Sequence, residues 1–243
     1  MRKLHIIMPM AGEGSRFLKE GWNTPKPLIL LDGVPLFKRA IGSVAIDGLD
    51  MKYSFIVRQE HIDNYGIDLA IREILPDANI FSVQKTTRGA VETCLMAESV
   101  IEDDDAVIVM DCDLEFRSAR FEELMREVLN TPAEKADGGL LVSFESDQPR
   151  YSYAETDGTD RVIRTAEKEV ISSHALCGAY FFSSGRVFKS VAHRLMAEAE
   201  FNKPEYYVSL LYNYLLGDGA MVRVANMEVY RSYGTPEELK RYM

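Results

Sequence analysis

Short apolar runs recur along this chain at intervals that leave room for a helix between them, and no other feature narrows the choice of fold so far. AVIVM at Ala106–Met110 is apolar at every position, which fits a strand buried on both faces. Runs rich in β-branched or aromatic residues predict further strands at Leu4–Met8, Tyr53–Val57, Asn79–Val83 and Gly139–Phe144. Helical patterns fall between them around Leu36–Val44, His61–Leu75, Ala90–Ile101 and Phe121–Leu129. The alternation predicts an α/β fold: a mixed, mostly parallel sheet with helices on both faces.

The second half changes character. Tyr151–Thr165 reads as a polar hairpin turning at Asp157-Gly158, and Cys177–Phe182 as another buried strand. Helices are expected over Arg186–Phe201 and Glu205–Leu216, then a strand near Met221–Ala225. Gly234-Thr235-Pro236 opens a short terminal helix with Pro near its first turn. No repeat, low-complexity tract or linker interrupts the 243 residues, so one domain over residues 1–243 is expected.

Chemistry concentrates where the first strand ends. Ile6–Leu36 reads IIMPMAGEGSRFLKEGWNTPKPLILLDGVPL. Gly12 and Gly14 let the backbone turn sharply and bring N–H groups to phosphate oxygens. Arg16 adds a planar fork of donors, and Lys26 a point charge between two stiff prolines. This order points to a nucleoside triphosphate as ligand. Asp111-Cys112-Asp113 directly follows AVIVM, at the carboxyl end of a predicted parallel strand, where α/β sheets bind ligands. Two Asp separated by one residue can share a hard cation, Mg²⁺ or alternatively Mn²⁺; the other reading of such a pair is solvated loop acids or a helix cap.

Composition sets bounds on partners. A net charge of −10 argues against a broad nucleic-acid surface, while leaving room for local cations that hold a small anion. Cys94, Cys112 and Cys177 stand apart with no CxxC pair, so neither a disulfide framework nor a zinc site is expected and a reducing compartment is the default. The N-terminal apolar run is too short for a signal peptide, no stretch has the length of a membrane span, and the expected location is the cytoplasm. The histidines are scattered and no nucleophile elbow is present, so covalent catalysis is not suggested.

GxGSRF followed by TPKPL resembles the N-terminal signature of the sugar-phosphate nucleotidylyltransferases, whose pattern is roughly AAGxG(S/T)R…PKPL. The resemblance implies a Rossmann-like, GT-A-like nucleotidyltransferase domain of the short form, with a nucleotide-binding part at about 1–135 and an acceptor-binding part at about 139–220. It implies an enzyme that joins an NTP to a sugar 1-phosphate or similar phosphorylated alcohol and releases pyrophosphate, for surface polysaccharide synthesis. Family habit implies a homo-oligomer; no nucleic-acid or membrane partner is expected. Carried onto this chain, Arg16, Lys26 and Asp113 are the catalytic candidates. Met10, Ala11, Gly12, Gly14 and Ser15 fall in the nucleotide loop.

The remaining motifs match in part. QKTTRGAV at Gln84–Val91 resembles a base-contacting QxxxxGTAxA, so Gln84 reads the nucleobase and Gly89 lets the base approach the backbone. Glu167-Lys168 resembles EKP, implying Glu167 on a sugar hydroxyl and Lys168 on the acceptor phosphate, although Glu169 replaces the Pro. Gly178 in CGAYFF and Glu205 in PEYYV would orient the acceptor, with a core strand and a helix N-terminal acid as equally natural readings. By the family pattern Asp113 is the main metal ligand, and Asp111 assists. The family's second ligand, an Asp before GTPE, is Ser232 here in YRSYGTPEEL. Two alternatives stay open at this point: a GT-A-type glycosyltransferase using the Asp-x-Asp pair, and a degenerate homologue that binds nucleotide without turning it over. An NAD site is disfavoured because Phe17 stands where a third Gly is needed.

Overall fold

In a computed structural model the described residues are 2–136, 138–198 and 201–243. The strands are β1 (Leu4–Met10), β2 (Leu30–Leu31), β3 (Val34–Pro35), β4 (Met51–Arg58), β5 (Asn79–Val83), β6 (Ala106–Met110) and β7 (Leu114–Arg117) in the first half. The second half holds β8 (Gly139–Glu145), β9 (Ser152–Thr156), β10 (Val162–Glu167), β11 (His174–Phe182), β12 (Val222–Asn226) and β13 (Val229–Ser232). The helices are α1 (Ser15–Lys19), α2 (Leu36–Gly42), α3 (Gln59–Tyr65), α4 (Ile67–Ile74), α5 (Ala90–Leu95), α6 (Ala119–Asn130), α7 (Gly185–Met196), α8 (Leu211–Gly217) and α9 (Pro236–Lys240).

The central sheet runs β10-β9-β11-β6-β1-β4-β5, with β8 also on β11 and β12 outside β8. β6, β1, β4 and β5 are parallel, as the alternation of strands and helices requires. Burial on both faces explains their apolar runs. Leu4, Ile6, Met8, Ala106, Ile108 and Met110 face one core, under α2, α4 and α6. Ile7, Val107 and Val109 face the other, under α5, α7 and α8. His5 sits buried in β1 with Nε2 2.8 Å from Ser54 Oγ. Burial, helped by the Lys52 charge and opposed by Asp105, pushes its pKa down to about 4.

Two features of the sheet shape its upper edge. β6 stays paired with β1 only through Ile7, and Pro9, which has no N–H for a ladder, lies past that point. β11 is antiparallel to its neighbours, and its register shifts between Leu176 and Tyr180, around Gly178. Below that shift it pairs with β9; above it, with β6.

Several predicted elements differ in extent. The helix expected over His61–Leu75 is two helices, because Gly66 adopts φ 59° and ends α3. Ala90–Ile101 is α5 followed by a 3₁₀ turn at Glu98–Val100. The helix expected to reach Phe201 is described to Met196, and residues 199–200 lie outside the described residues. Glu205–Leu216 is corrected most: residues 205–207 are irregular, a 3₁₀ turn covers Val208–Leu210, and α8 begins only at Leu211. The ribbon of β7 and β13, invisible in the sequence pattern, carries Ser232 next to Leu114.

Candidate active site

Parallel strands β1 and β6 end on the same edge of the sheet, so the loop after Met10 and the acids after Met110 open together. A cavity of about 300 Å³ lies there, lined in part by Arg16, Asp111, Asp113, Glu167 and Gly178. A second cavity of about 220 Å³ continues past Gly12, Gly14 and Lys26 to Arg58. Met10 and Ala11 are buried and aim the loop, whereas Gly12, Ser15 and Arg16 are exposed. Arg16 makes no hydrogen bond or ion pair with a described residue.

Lys26, in a 3₁₀ turn at Lys26–Leu28, crosses to the opposite loop and donates from Nζ to Asp113 Oδ2 at 2.6 Å. Burial draws its pKa down, but Asp113, Cys112 and Asp111 outweigh burial and hold the ammonium charged. Asp111 is the opposite case. Its carboxylate is reached by solvent from the cavity and accepts no hydrogen bond from a described residue. Desolvation by the surrounding protein, with the Asp113 and Glu167 charges, pushes its pKa up against the pull of Lys26. Its N–H donates to Gly178 O at 2.9 Å, and a Cβ on Gly178 would lie 2.3 Å from Asp111 Oδ2. With φ +95° as well, position 178 admits only glycine. The close approach that requires this glycine is that of a carboxylate.

The donor set suits Mg²⁺. Asp111 offers hard oxygens that no described residue bonds, and Asp113 has its Oδ1 free of hydrogen bonds to described residues. Among the described residues no three His, Cys, Asp or Glu side chains form a metal cage. Mg²⁺ is typically bound through one or two carboxylates, with substrate phosphates and water completing the shell.

The opposite wall is densely bonded. Glu167 Oε2 accepts from Ser152 Oγ and, at 2.8 Å, from Ser209 Oγ. Lys168 has φ +57° and donates from Nζ to Tyr207 Oη at 2.6 Å, 4.6 Å from the centre of that ring. It is exposed and does not line the cavity, whereas Arg150 does. Glu205 is exposed, lies outside the cavity lining, and caps no helix, so the reading of it as a helix N-terminal acid does not hold. Gly89 has a close neighbour of its own. It is buried, and a Cβ there would lie 2.5 Å from Tyr206 N, so the chain segment it admits is the Tyr206 backbone. Tyr206 N donates to Arg88 O and Val91 N to Tyr206 O, joining the two loops. Gln84 is exposed and lines a shallow cleft with Arg58 and Gln59.

Three residues at the site were not singled out from the sequence. Arg58 ends parallel strand β4 and donates to Ala11 O at 3.4 Å and Thr86 Oγ1 at 3.2 Å. Its place at a strand's carboxyl end was the available signal. Arg150 and buried Glu238 form an ion pair of 2.6 Å across 88 residues, for which no sequence signal exists. Ser232 donates to Glu238 Oε2 at 2.7 Å.

A family model described as nucleotidyl transferase matches residues 5–210. Among solved structures, the nucleoside-diphosphate-sugar pyrophosphorylase from Vibrio cholerae RC9 is similar at TM-score 0.84 and 25% identity, covering 98% of each chain. A Bacillus anthracis protein described as a glucose-1-phosphate thymidylyltransferase matches at TM-score 0.76 and 20% identity, over 98% of this chain and 93% of that one. The inositol-1-phosphate CTP transferase from T. maritima matches at 0.73 and 15%, over 100% and 94%. The last two show the fold alone. A search of curated proteins finds no match.

Proposed function

The chain belongs to the nucleotidyl transferase family, and on that footing we propose that it couples a nucleoside triphosphate to a sugar 1-phosphate, or a similar phosphorylated alcohol, giving a nucleotide sugar and pyrophosphate. The observation that carries this reading is the Lys26–Asp113 pair at 2.6 Å, set between a glycine loop bearing Arg16 and a wall bearing Glu167.

In the proposed reaction an acceptor phosphate oxygen attacks the α-phosphorus in line. A new P–O bond forms, the bond to the β-phosphate's bridging oxygen breaks, and pyrophosphate carries away the electron pair. The attacking group is already an anion, so no strong general base is needed; what is needed is alignment of two mutually repelling polyanions. The loop N–H groups at Gly12–Gly14 and Arg16 would cradle the triphosphate, and Lys26 would neutralise charge where the bond breaks. Gln84 is proposed to read the base and Glu167 a sugar hydroxyl. Asp113 and Asp111 would hold Mg²⁺ (or Mn²⁺), which when bound supplies charge neutralisation to the phosphates.

The reading extends to a division into a nucleotide part at about 1–135 and an acceptor part at about 139–220. It also extends to supply of activated sugars for polysaccharide and to the cytoplasm, where three free, buried thiols would stay reduced. No helix of the described residues is long and apolar enough to cross a membrane. The test is pyrophosphate release from a panel of NTPs and dTTP with sugar 1-phosphates and Mg²⁺. Release that needs both substrates and is lost in Asp113→Ala supports the reading; stabilisation by nucleotide sugars alone, with no turnover of any triphosphate, overturns it.

A further inference from the structure

Two cations line the cavity beside Asp111 and Asp113, and they come from opposite walls. Arg16 belongs to the glycine loop, and Arg150 to the segment between β8 and β9. Arg150 is anchored at one end only. Its Nη2 donates to Glu238 Oε1 at 2.6 Å and to Tyr151 Oη, and its guanidinium lies 4.5 Å from the centre of the Tyr151 ring. Nε and Nη1 make no hydrogen bond to a described residue, and the side chain is 47% exposed. The free edge is a fork of donors matched to an oxyanion.

Glu238 is built to hold it. Its side chain is only 9% exposed, and both oxygens are committed, Oε1 to Arg150 and Oε2 to Ser232 Oγ at 2.7 Å. A buried carboxylate needs such partners, because an unpaired one is strongly disfavoured. This accounts for Ser232, where the family resemblance implies Asp. An aspartate there would set a second carboxylate against Glu238 Oε2, with Asp113 Oδ2 also near; each of those oxygens is 3.4 Å from where a Cβ on Gly234 would be. The hydroxyl instead donates. The acid of this corner is Glu238, in the first turn of α9, and its charge serves a guanidinium.

We propose that Arg150 binds the phosphate of the acceptor, with Glu238 and Ser232 as the residues that position it. The inference rests on the nucleotidyl-transfer reading for the identity of that phosphate. It reassigns the role implied for Lys168, which is bonded to Tyr207 and lies outside the cavity lining.

Calorimetric titration of inorganic phosphate into wild type, Arg150→Met, Arg150→Lys, Glu238→Gln and the Glu238→Gln/Arg150→Met double variant tests this. Affinity should fall about tenfold or more in Arg150→Met, the cost of losing a charged hydrogen-bonding group, and recover in part in Arg150→Lys. Glu238→Gln should weaken binding less, and the double variant should be no weaker than Arg150→Met alone, since Glu238 acts through Arg150. Glucose 1-phosphate should follow the same order. Circular dichroism checks that each variant folds. Phosphate that binds wild type and Arg150→Met equally, or binds neither, overturns the assignment, and additive losses in the double variant overturn the role of Glu238. Failure of every triphosphate to bind wild type would fall on the nucleotidyl-transfer reading alone, because the phosphate titration uses no nucleotide.

Discussion

The two walls of the cavity are built by opposite means. The glycine-loop wall is sparse: Gly12, Ser15 and Arg16 are exposed, and a Cβ on Gly12 or Gly14 would meet nothing within 4 Å. The facing wall is cross-linked, with Glu167 on two serines, Lys168 on Tyr207, Arg150 on Glu238, and Gly178 pressed against Asp111. An open loop can close around a flexible triphosphate, whereas a pre-bonded wall holds its donors in one geometry before the ligand arrives. On the first wall substitutions should cost catalysis without cost to folding; on the second they should cost both.

The largest effect expected is on the sparse wall. Arg16→Ala should lower turnover by about 10²–10³-fold, the typical loss of a transition-state charge donor, with an unchanged melting temperature because the side chain has no described partner. A fall in melting temperature parallel to the loss of rate would erase the contrast. Beneath that loop, His5 sets an acid limit on the parallel core. Its folded pKa of about 4 lies below the ordinary 6.5, so the unfolded chain takes up the proton first as pH falls. Stability is complete above pH 6.5 and declines by roughly 3 kcal/mol between 6.5 and 4. Urea unfolding across that window, on wild type and His5→Gln, should show the variant's profile flattened.

On the cross-linked wall, Gly89→Ala should destabilise by about 1–3 kcal/mol, through the strained φ of +142° and the clash with Tyr206 N. Acceptor KM should rise with it, since Tyr206 precedes Tyr207, whose side chain lines the cavity. Differential scanning calorimetry beside kinetics for both substrates reads this, and a rise in NTP KM without destabilisation would restore the base-contact role for this glycine. The smallest effect should be at Gly12→Ala, where open space and the absence of a positive φ keep the stability change within ~0.5 kcal/mol.

The same contrast separates what could be read from the sequence. AVIVM, NIFSV and the loop GEGSRF…TPKPL announce themselves because strand burial and phosphate cradling each act on neighbours in the chain. Glu205 misled because an acid before an apolar run looks like a helix start, and here Tyr206 is instead fastened to Arg88. Gly89 and Gly178 were legible as necessary glycines, but the atoms that make them necessary, Tyr206 N and Asp111 Oδ2, are far away in sequence.

The sequence by itself determined the parallel core, the open edge after β1 and β6, and the donor loop with Arg16 and Lys26, because periodicity and local motif encode short-range physics. Only the tertiary structure decided that Arg150, and not Lys168, lines the cavity. It bent β11 at Gly178, paired β7 with β13, and brought Glu238 to Ser232 and Arg150. A buried carboxylate takes whatever donors the packed chain supplies, and that choice is made by three-dimensional proximity.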